Sequence, residues 1–205
     1  MRGKFITFEG AEGSGKSTHS KLLCDWLKRK KIKFIHTREP GGTKIGEKLR
    51  QVLLDPKNKE MSPICEMFVY QACRAQIMDE VILPAIKKGK VVICDRFLDA
   101  TVAYQGYGSG LSVDLIKETG RVATRNTRPD LTILLDIDTV KGLKRAGIKD
   151  RMEQKPLAYH KRVRRGYLLM AKKEPKRIKV IKVSDDMDKT QSMVRKAVSK
   201  CLGIK

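Results

Sequence analysis

The sequence predicts an α/β fold: a doubly wound, five-stranded parallel sheet with a glycine-rich loop near its start and a short lid late in the chain. Three observations carry this prediction. Short apolar runs of strand length alternate with segments of helical period. The runs are mostly continuous in their apolar residues instead of alternating at every second one, as in strands covered on both faces. Their strict alternation with helices implies β-α-β units and parallel pairing. The expected strands are Phe5–Phe8, Lys33–His36, Val91–Cys94, Leu131–Leu135 and Ile178–Val183, each with strand length and β-branched content.

The helices follow from their spacing. Ser17–Lys30 places Leu22, Leu23, Trp26 and Leu27 on one face. Lys44–Leu54, Pro63–Lys88, Ser112–Arg125, Leu157–Lys172 and the tail Lys189–Leu202 share the helical period. Gly89 stands after a helix and before a strand, where a helix C-cap belongs. One segment resists the alternation: Gly147–Gln154 is short, charged and opened by glycine. It reads either as an ordinary surface loop or as a lid over about residues 145–154.

Bulk composition bounds the rest. The 205 residues fit one domain, 40% hydrophobic and 33% charged, which is enough to build a core. No apolar run approaches a membrane span, and Met1–Phe8 carries no apolar signal segment. The five cysteines (Cys24, Cys65, Cys73, Cys94, Cys201) form no CxxC pair and read as reduced thiols of a cytoplasmic protein. Against 45 Lys and Arg stand only 23 Asp and Glu, a formal net charge of +22. Such an excess favours polyanions, or is simply a generally basic surface; it decides nothing alone.

The chemistry starts at Gly10-Ala11-Glu12-Gly13-Ser14-Gly15-Lys16-Ser17, which satisfies GxxxxGK[ST] and is followed by Thr18. It lies after a predicted strand and opens a predicted helix, the context this motif needs. Glycines let the backbone curl until its N–H groups point at phosphate oxygens, and the helix N-terminus adds positive dipole. Lys16 is then placed for the β- and γ-phosphates of a nucleoside triphosphate, and the Ser17 hydroxyl for Mg²⁺. Asp95 and Arg96 end the strand Val91–Cys94 at the sheet's carboxyl edge, beside that loop. Asp95 suits the metal through water, and Arg96 an acceptor phosphate. Asp136, in Leu135-Asp136-Ile137-Asp138, is the competing acidic strand end and equally a helix N-cap.

These residues resemble the thymidylate kinase family. The matching segments are FEGAEGSGKST at Phe8–Thr18, TREPGGT at Thr37–Thr43, CDRFLDATVAYQG at Cys94–Gly106 and RPDLTILLDID at Arg128–Asp138, with the stretch around Lys144–Glu153. They run in family order over nearly the whole chain. The resemblance implies a nucleoside-monophosphate-kinase-like single domain that moves the γ-phosphate of ATP onto dTMP, with Mg²⁺, as a cytoplasmic homodimer without a stable nucleic-acid or membrane partner. It further implies that Arg38 and Arg96 clamp the acceptor phosphate and that Arg74 reaches the thymine carbonyl. Tyr70, where the family usually has Phe, stacks on the base; Thr101 faces it, and Gln105 closes the same turn. Tyr104 crowds the 2′ carbon, and Glu12 lies near the sugar 3′-hydroxyl. With no basic residue among Ala11, Glu12, Gly13 and Ser14, the lid is expected to supply the cation for the transferred phosphoryl. Arg145, Lys149 and Arg151 are the candidates, with Arg151 in an Asp-Arg-x-Glu arrangement that resembles the family's. The alternatives are a kinase for another nucleoside monophosphate, a basic module that binds nucleic acid and switches with ATP, or a kinase-shaped protein that only binds.

Overall fold

The computed structural model describes residues 2–147 and 150–204. Five strands, β1 (Phe5–Glu9), β2 (Phe34–Arg38), β3 (Val91–Asp95), β4 (Leu131–Asp136) and β5 (Ile178–Lys182), form one sheet in the order β2-β3-β1-β4-β5. All neighbouring pairs are parallel, with Ile6 opposite Ile93 and Leu131, and His36 opposite Ile93. Because β1 lies in the middle, the loop after it emerges at the centre of the carboxyl edge, between the ends of β3 and β4. That edge is where open α/β sheets bind their ligands.

The inner strands β1, β3 and β4 are buried along nearly their whole length because both faces are covered, while the edge strands β2 and β5 expose His36, Arg38, Lys179 and Lys182. Ile6, Phe8, Ile93, Ile133 and Leu135 point to one face. They meet Leu23 and Leu27 of α1 (Lys16–Arg29) and Val194 and Val198 of α9 (Met187–Leu202). Phe5, Val92 and Cys94 point to the other, against Ile77, Met78, Ile82, Ile86 and Phe97. A third cluster joins Leu134 and Ile178 to Val163, Tyr167 and Met170 of α8 (Leu157–Lys173) and to Val102, Tyr104 and Ile116. Among the described residues no helix is long and apolar enough to cross a membrane.

The helices α2 (Lys44–Leu54) and α6 (Val113–Ala123) form where their period and caps place them, with Thr43 and Ser112 accepting from the backbone N–H groups of Gly46 and Leu115. The expected single helix Pro63–Lys88 is instead α3 (Pro63–Ile77), a π-helical turn over Met78–Ile82 and α4 (Leu83–Lys87). Pro84 has no N–H to return to the preceding turn, and the backbone widens just ahead of it. Gly89 does cap the end, at φ +71°. Two elements went beyond the periodicity. Leu98–Thr101 (α5) runs into a second π-helical turn over Val102–Gly108, and Thr139–Ala146 forms α7. The N-cap of α7 is Asp138, whose Oδ1 accepts from the N–H groups of Val140 and Lys141 at 3.0 and 3.1 Å. Asp136, the alternative in sequence, is held bidentately by Arg164 at 2.7 and 3.0 Å.

Candidate active site

The loop between β1 and α1 is shaped by its glycines. Gly13 sits at φ +66°, and a Cβ there would collide with the carbonyl of Gly142 in α7, which in turn packs against the Glu12 carbonyl. Only two glycines facing each other let the two segments approach so closely. Lys16 Nζ folds back over the loop, donating to the carbonyls of Gly10 (3.1 Å) and Ala11 (2.9 Å) and to Ser14 Oγ (3.3 Å). Burial first, then the neighbouring Arg96, lowers its pKa to about 8, against the opposing pull of Glu12, Glu9 and Asp95. Ser17 and Thr18 open α1 on the exposed side of the loop.

Asp95 and Arg96 emerge from β3 next to it. Burial raises the Asp95 carboxyl, but the polar groups of His36, Ser20 and Ser17 facing it outweigh that, and the group stays below the usual carboxylate range. Its Oδ1 is buried without a hydrogen bond, with His36 Nε2 3.5 Å away. Arg96 is left-handed, at φ +68°, while its N–H donates to the Phe8 carbonyl at 2.9 Å. That backbone turns the guanidinium into the cleft, where NH2 meets Glu12 Oε1 at 2.7 Å and NH1 the Gly10 carbonyl at 3.2 Å. The same guanidinium stacks over the Tyr104 ring, 4.9 Å from its centroid, and the Tyr104 hydroxyl donates to Glu12 at 2.7 Å. Burial pushes Glu12 up, yet Arg96, Lys16 and Tyr104 together bring its pKa down to about 2. Glu12 is therefore an ionised carboxylate in a cationic setting, and not a solvent-facing one.

From this triad a cleft of about 360 Å³ runs toward α3, lined among others by Lys16, Ser17, Tyr70, Arg74, Arg96, Thr101, Tyr104 and Gln105. Arg74 is 1% exposed. It donates to Glu39 (2.9 Å), Gln71 (2.6 Å) and Thr101 Oγ1 (3.0 Å), with Phe97 under its guanidinium. Gln105 Nε2 donates to Glu66 Oε1 at 2.7 Å. The far wall is the lid, where Asp150, Met152 and Glu153 line the cleft. Asp150 and Glu153 cap each other's backbone: Asp150 Oδ1 accepts from the N–H groups of Met152 and Glu153, and Glu153 Oε2 from that of Asp150.

Comparison with known proteins agrees with this geometry. The thymidylate kinase family model matches residues 8–194. A thymidylate kinase of Thermoanaerobacter sp. (strain X514) is 43% identical over 204 residues, covering 98% of this chain and all of that one. One from Symbiobacterium thermophilum is 44% identical over 200 residues, covering 97% of this chain and 94% of its own. The crystal structure of thymidylate kinase from Ehrlichia chaffeensis superposes with a TM-score of 0.80 at 34% identity, covering 97% of this chain and 100% of that one. The chain belongs to the thymidylate kinase family.

Against the family expectation, most of the side chains named for substrate line one cleft, and two of the named arginines do not. Arg38 is half exposed and pairs with Glu47 through both carboxylate oxygens, at 3.0 and 2.9 Å. Glu47 is fixed for that role by the Gly42 N–H at 2.8 Å. The cation that does line the cleft there is Arg50, anchored on the Pro40 carbonyl at 2.8 Å. Nothing in the sequence separates Arg50 from the other cations of α2, since only its position one turn from the cleft selects it. The second is Arg151, which is 4% exposed and lies against α2 and α3 instead of over Lys16. Its orienting partners are Glu66 and the Leu53 carbonyl, not Asp150 or Glu153. Of the other lid candidates, Arg145 pairs with Asp185 at 2.8 Å, and Lys149 lies outside the described residues. Glu39 stood inside TREPGGT without a role; its value is as the buried partner of Arg74. Glu66 gave no sequence signal at all.

Proposed function

We propose that this protein transfers the γ-phosphate of ATP to dTMP, giving ADP and dTDP for dTTP supply. The observation that carries this reading is the single cleft joining the phosphate-binding loop to a polar pocket built by Arg74, Thr101 and Gln105. Two nucleotides laid end to end place their phosphates at Lys16 and Arg96. No covalent intermediate is needed: an acceptor phosphate oxygen attacks in line, and catalysis is positioning plus charge neutralisation. Arg96 holds the acceptor phosphate, with Arg50 adding positive charge along the cleft. Lys16 exchanges its loop carbonyls for the β- and γ-phosphates, and the loop N–H groups from Gly10 to Thr18 complete the cradle. Glu12 and Tyr104 enclose the sugar, with the Tyr104 ring in the space that a 2′-hydroxyl would need. Tyr70 covers the base, and Arg74, Thr101 and Gln105 read its polar edge.

Mg²⁺ fits the donors present, because the Asp95 Oδ1 orphan and the Ser17 hydroxyl are both hard oxygen ligands. When bound it neutralises charge on the transferred group. The reading extends to a cytoplasmic homodimer, with the exposed apolar side chains Ile64 and Phe68 of α3 supporting self-association. Light scattering on the purified protein tests the dimer.

The activity is tested by coupling ADP release to NADH oxidation with dTMP, dUMP, dCMP, dGMP and dAMP as acceptors. dTMP should be much the best. ADP release that ignores every acceptor, or that rises with DNA, would overturn the reading in favour of an ATPase.

A further inference from the structure

We infer that Arg151 is a positioning residue that fixes the nucleotide-base pocket from the lid, and that its target is the side-chain amide of Gln105. The inference rests on the phosphotransfer reading above and assigns Arg151 a task other than contact with the transferred phosphoryl.

The Nε and NH2 groups of Arg151 are committed away from the phosphate loop. Nε donates to the Leu53 carbonyl at 2.9 Å, at the end of α2, and NH2 meets Glu66 Oε2 on α3 at 2.5 Å. NH2 also lies 3.6 Å from Met61 Sδ, and the backbone N–H of Arg151 donates to the Leu54 carbonyl at 3.3 Å. The ion pair is dry: the two side chains are 4% and 3% exposed. A charge buried so deeply is tolerated only with its partner in place, so the lid residues after Asp150 are held to α2 and α3 by the pairing.

Glu66 turns its other oxygen to a residue that lines the cleft. Oε1 accepts from Gln105 Nε2 at 2.7 Å, and Gln105 is 1% exposed. A carboxylate paired with a guanidinium offers acceptor atoms, so the amide that meets it turns its NH₂ group toward it. The Gln105 oxygen is thereby the end left for a ligand, a fixed acceptor suited to an N–H donor on a base. Arg151 holds the Glu66 carboxylate in place, and the held Glu66 keeps the amide from flipping. Without the guanidinium, Glu66 loses the partner that fixes its carboxylate, and the amide loses its single orientation. The chain Arg151–Glu66–Gln105 thus ties a docked lid to recognition of the acceptor base.

The test uses four variants of the full-length protein: Arg151→Met, Arg151→Lys, Glu66→Gln and the double replacement of Arg151→Met with Glu66→Gln. Steady-state kinetics are measured with dTMP and dCMP at saturating ATP, then with ATP at saturating dTMP. Arg151→Met should raise the KM for dTMP about ten-fold while the KM for ATP moves less than about three-fold, the scale of one charge-assisted hydrogen bond. The preference for dTMP over dCMP should narrow, because cytosine offers an acceptor where thymine offers N–H. Glu66→Gln should act in the same direction, and the double variant should be no worse than the poorer single one. Arg151→Lys, which restores charge but not the fork, should recover part of the dTMP KM. If Arg151→Met does not fold, Glu66→Gln carries the same readout. A collapse of kcat with an unchanged KM for dTMP and unchanged base preference would overturn the inference, as would single effects that multiply in the double variant. In either case wild-type dTMP-dependent ADP release is untouched, so the phosphotransfer reading is judged separately.

Discussion

Replacing Arg96 by alanine and, separately, by glycine divides its side-chain task from its backbone cost. Both variants lose the guanidinium that meets Glu12 at 2.7 Å and stacks on Tyr104. Glu12 keeps Lys16 and the Tyr104 hydroxyl, so its carboxylate is not orphaned and the fold should survive. Removing one preorganised charge contact from a phosphoryl-transfer site costs about 10²–10³ in turnover, and both variants should lose that much in the ADP-coupled assay. Their stabilities should differ. At φ +68° a side chain costs ~1–2 kcal/mol that glycine does not incur. Glycine's greater freedom in the unfolded chain returns part of that, leaving ~1 kcal/mol in its favour. For a chain of this size ~1 kcal/mol is worth about 2–4 °C, so in differential scanning calorimetry Arg96→Gly should melt about 2–4 °C above Arg96→Ala. An alanine variant that melts as high as the glycine variant would show that the backbone is unstrained. Turnover within a few-fold of wild type would show that Arg96 does not hold the acceptor phosphate.

Lys16→Ala should cost about two or more orders of magnitude in turnover, because its ammonium, now held by the Gly10 and Ala11 carbonyls, is the charge that turns to the transferred phosphates; single-turnover assays with excess enzyme measure it. Tyr104→Ala should narrow the preference of deoxyribose over ribose acceptors while weakening dTMP binding, and an unchanged ratio of kcat/KM for the two sugars would remove Tyr104 as the sugar gate. Glu9 gives a pH signature. It is fully buried, accepting from the Phe97 N–H at 2.7 Å and the Tyr167 hydroxyl at 2.8 Å. Burial, aided by Asp99, pushes its pKa from 4.5 up to about 8. The folded state therefore holds a proton that the unfolded chain has released, so wild-type stability falls as pH rises from about 4.5 to 8, by up to ~1.4 kcal/mol per pH unit. Glu9→Gln mimics the neutral acid and does not titrate. Its Tm relative to wild type should climb across that window, and a flat or falling difference would show that Glu9 is ionised at neutral pH.

The order of elements and the phosphate loop were legible in the chain because their causes are local. Hydrophobic period, strand-length apolar runs and the GxxxxGK[ST] spacing act within a few residues of one another. All five strands came from such runs, and the loop from its own glycines. Short helices with weak periodicity were harder. The Leu98–Gly108 segment contains Gly106 and Gly108 and widens into a π-helical turn, so no 3.6-residue pattern announces it.

The sequence by itself determined the sheet, the cradle for phosphate and the residue types that fill the cleft. Only the tertiary structure decided which cations face it. A guanidinium carries the same charge wherever it stands, and its orientation is set by whichever carboxylate the fold brings within reach. Glu47 takes Arg38 to the surface, Asp185 takes Arg145, Asp136 takes Arg164, and Glu66 draws Arg151 under the lid. Arg50, one turn along α2, is left facing the cleft. Glu66 and Arg151 lie 85 positions apart in the chain, and no local pattern links them. Burial makes the difference: in water such a pair is worth little, whereas inside the protein neither charge is tolerated without the other.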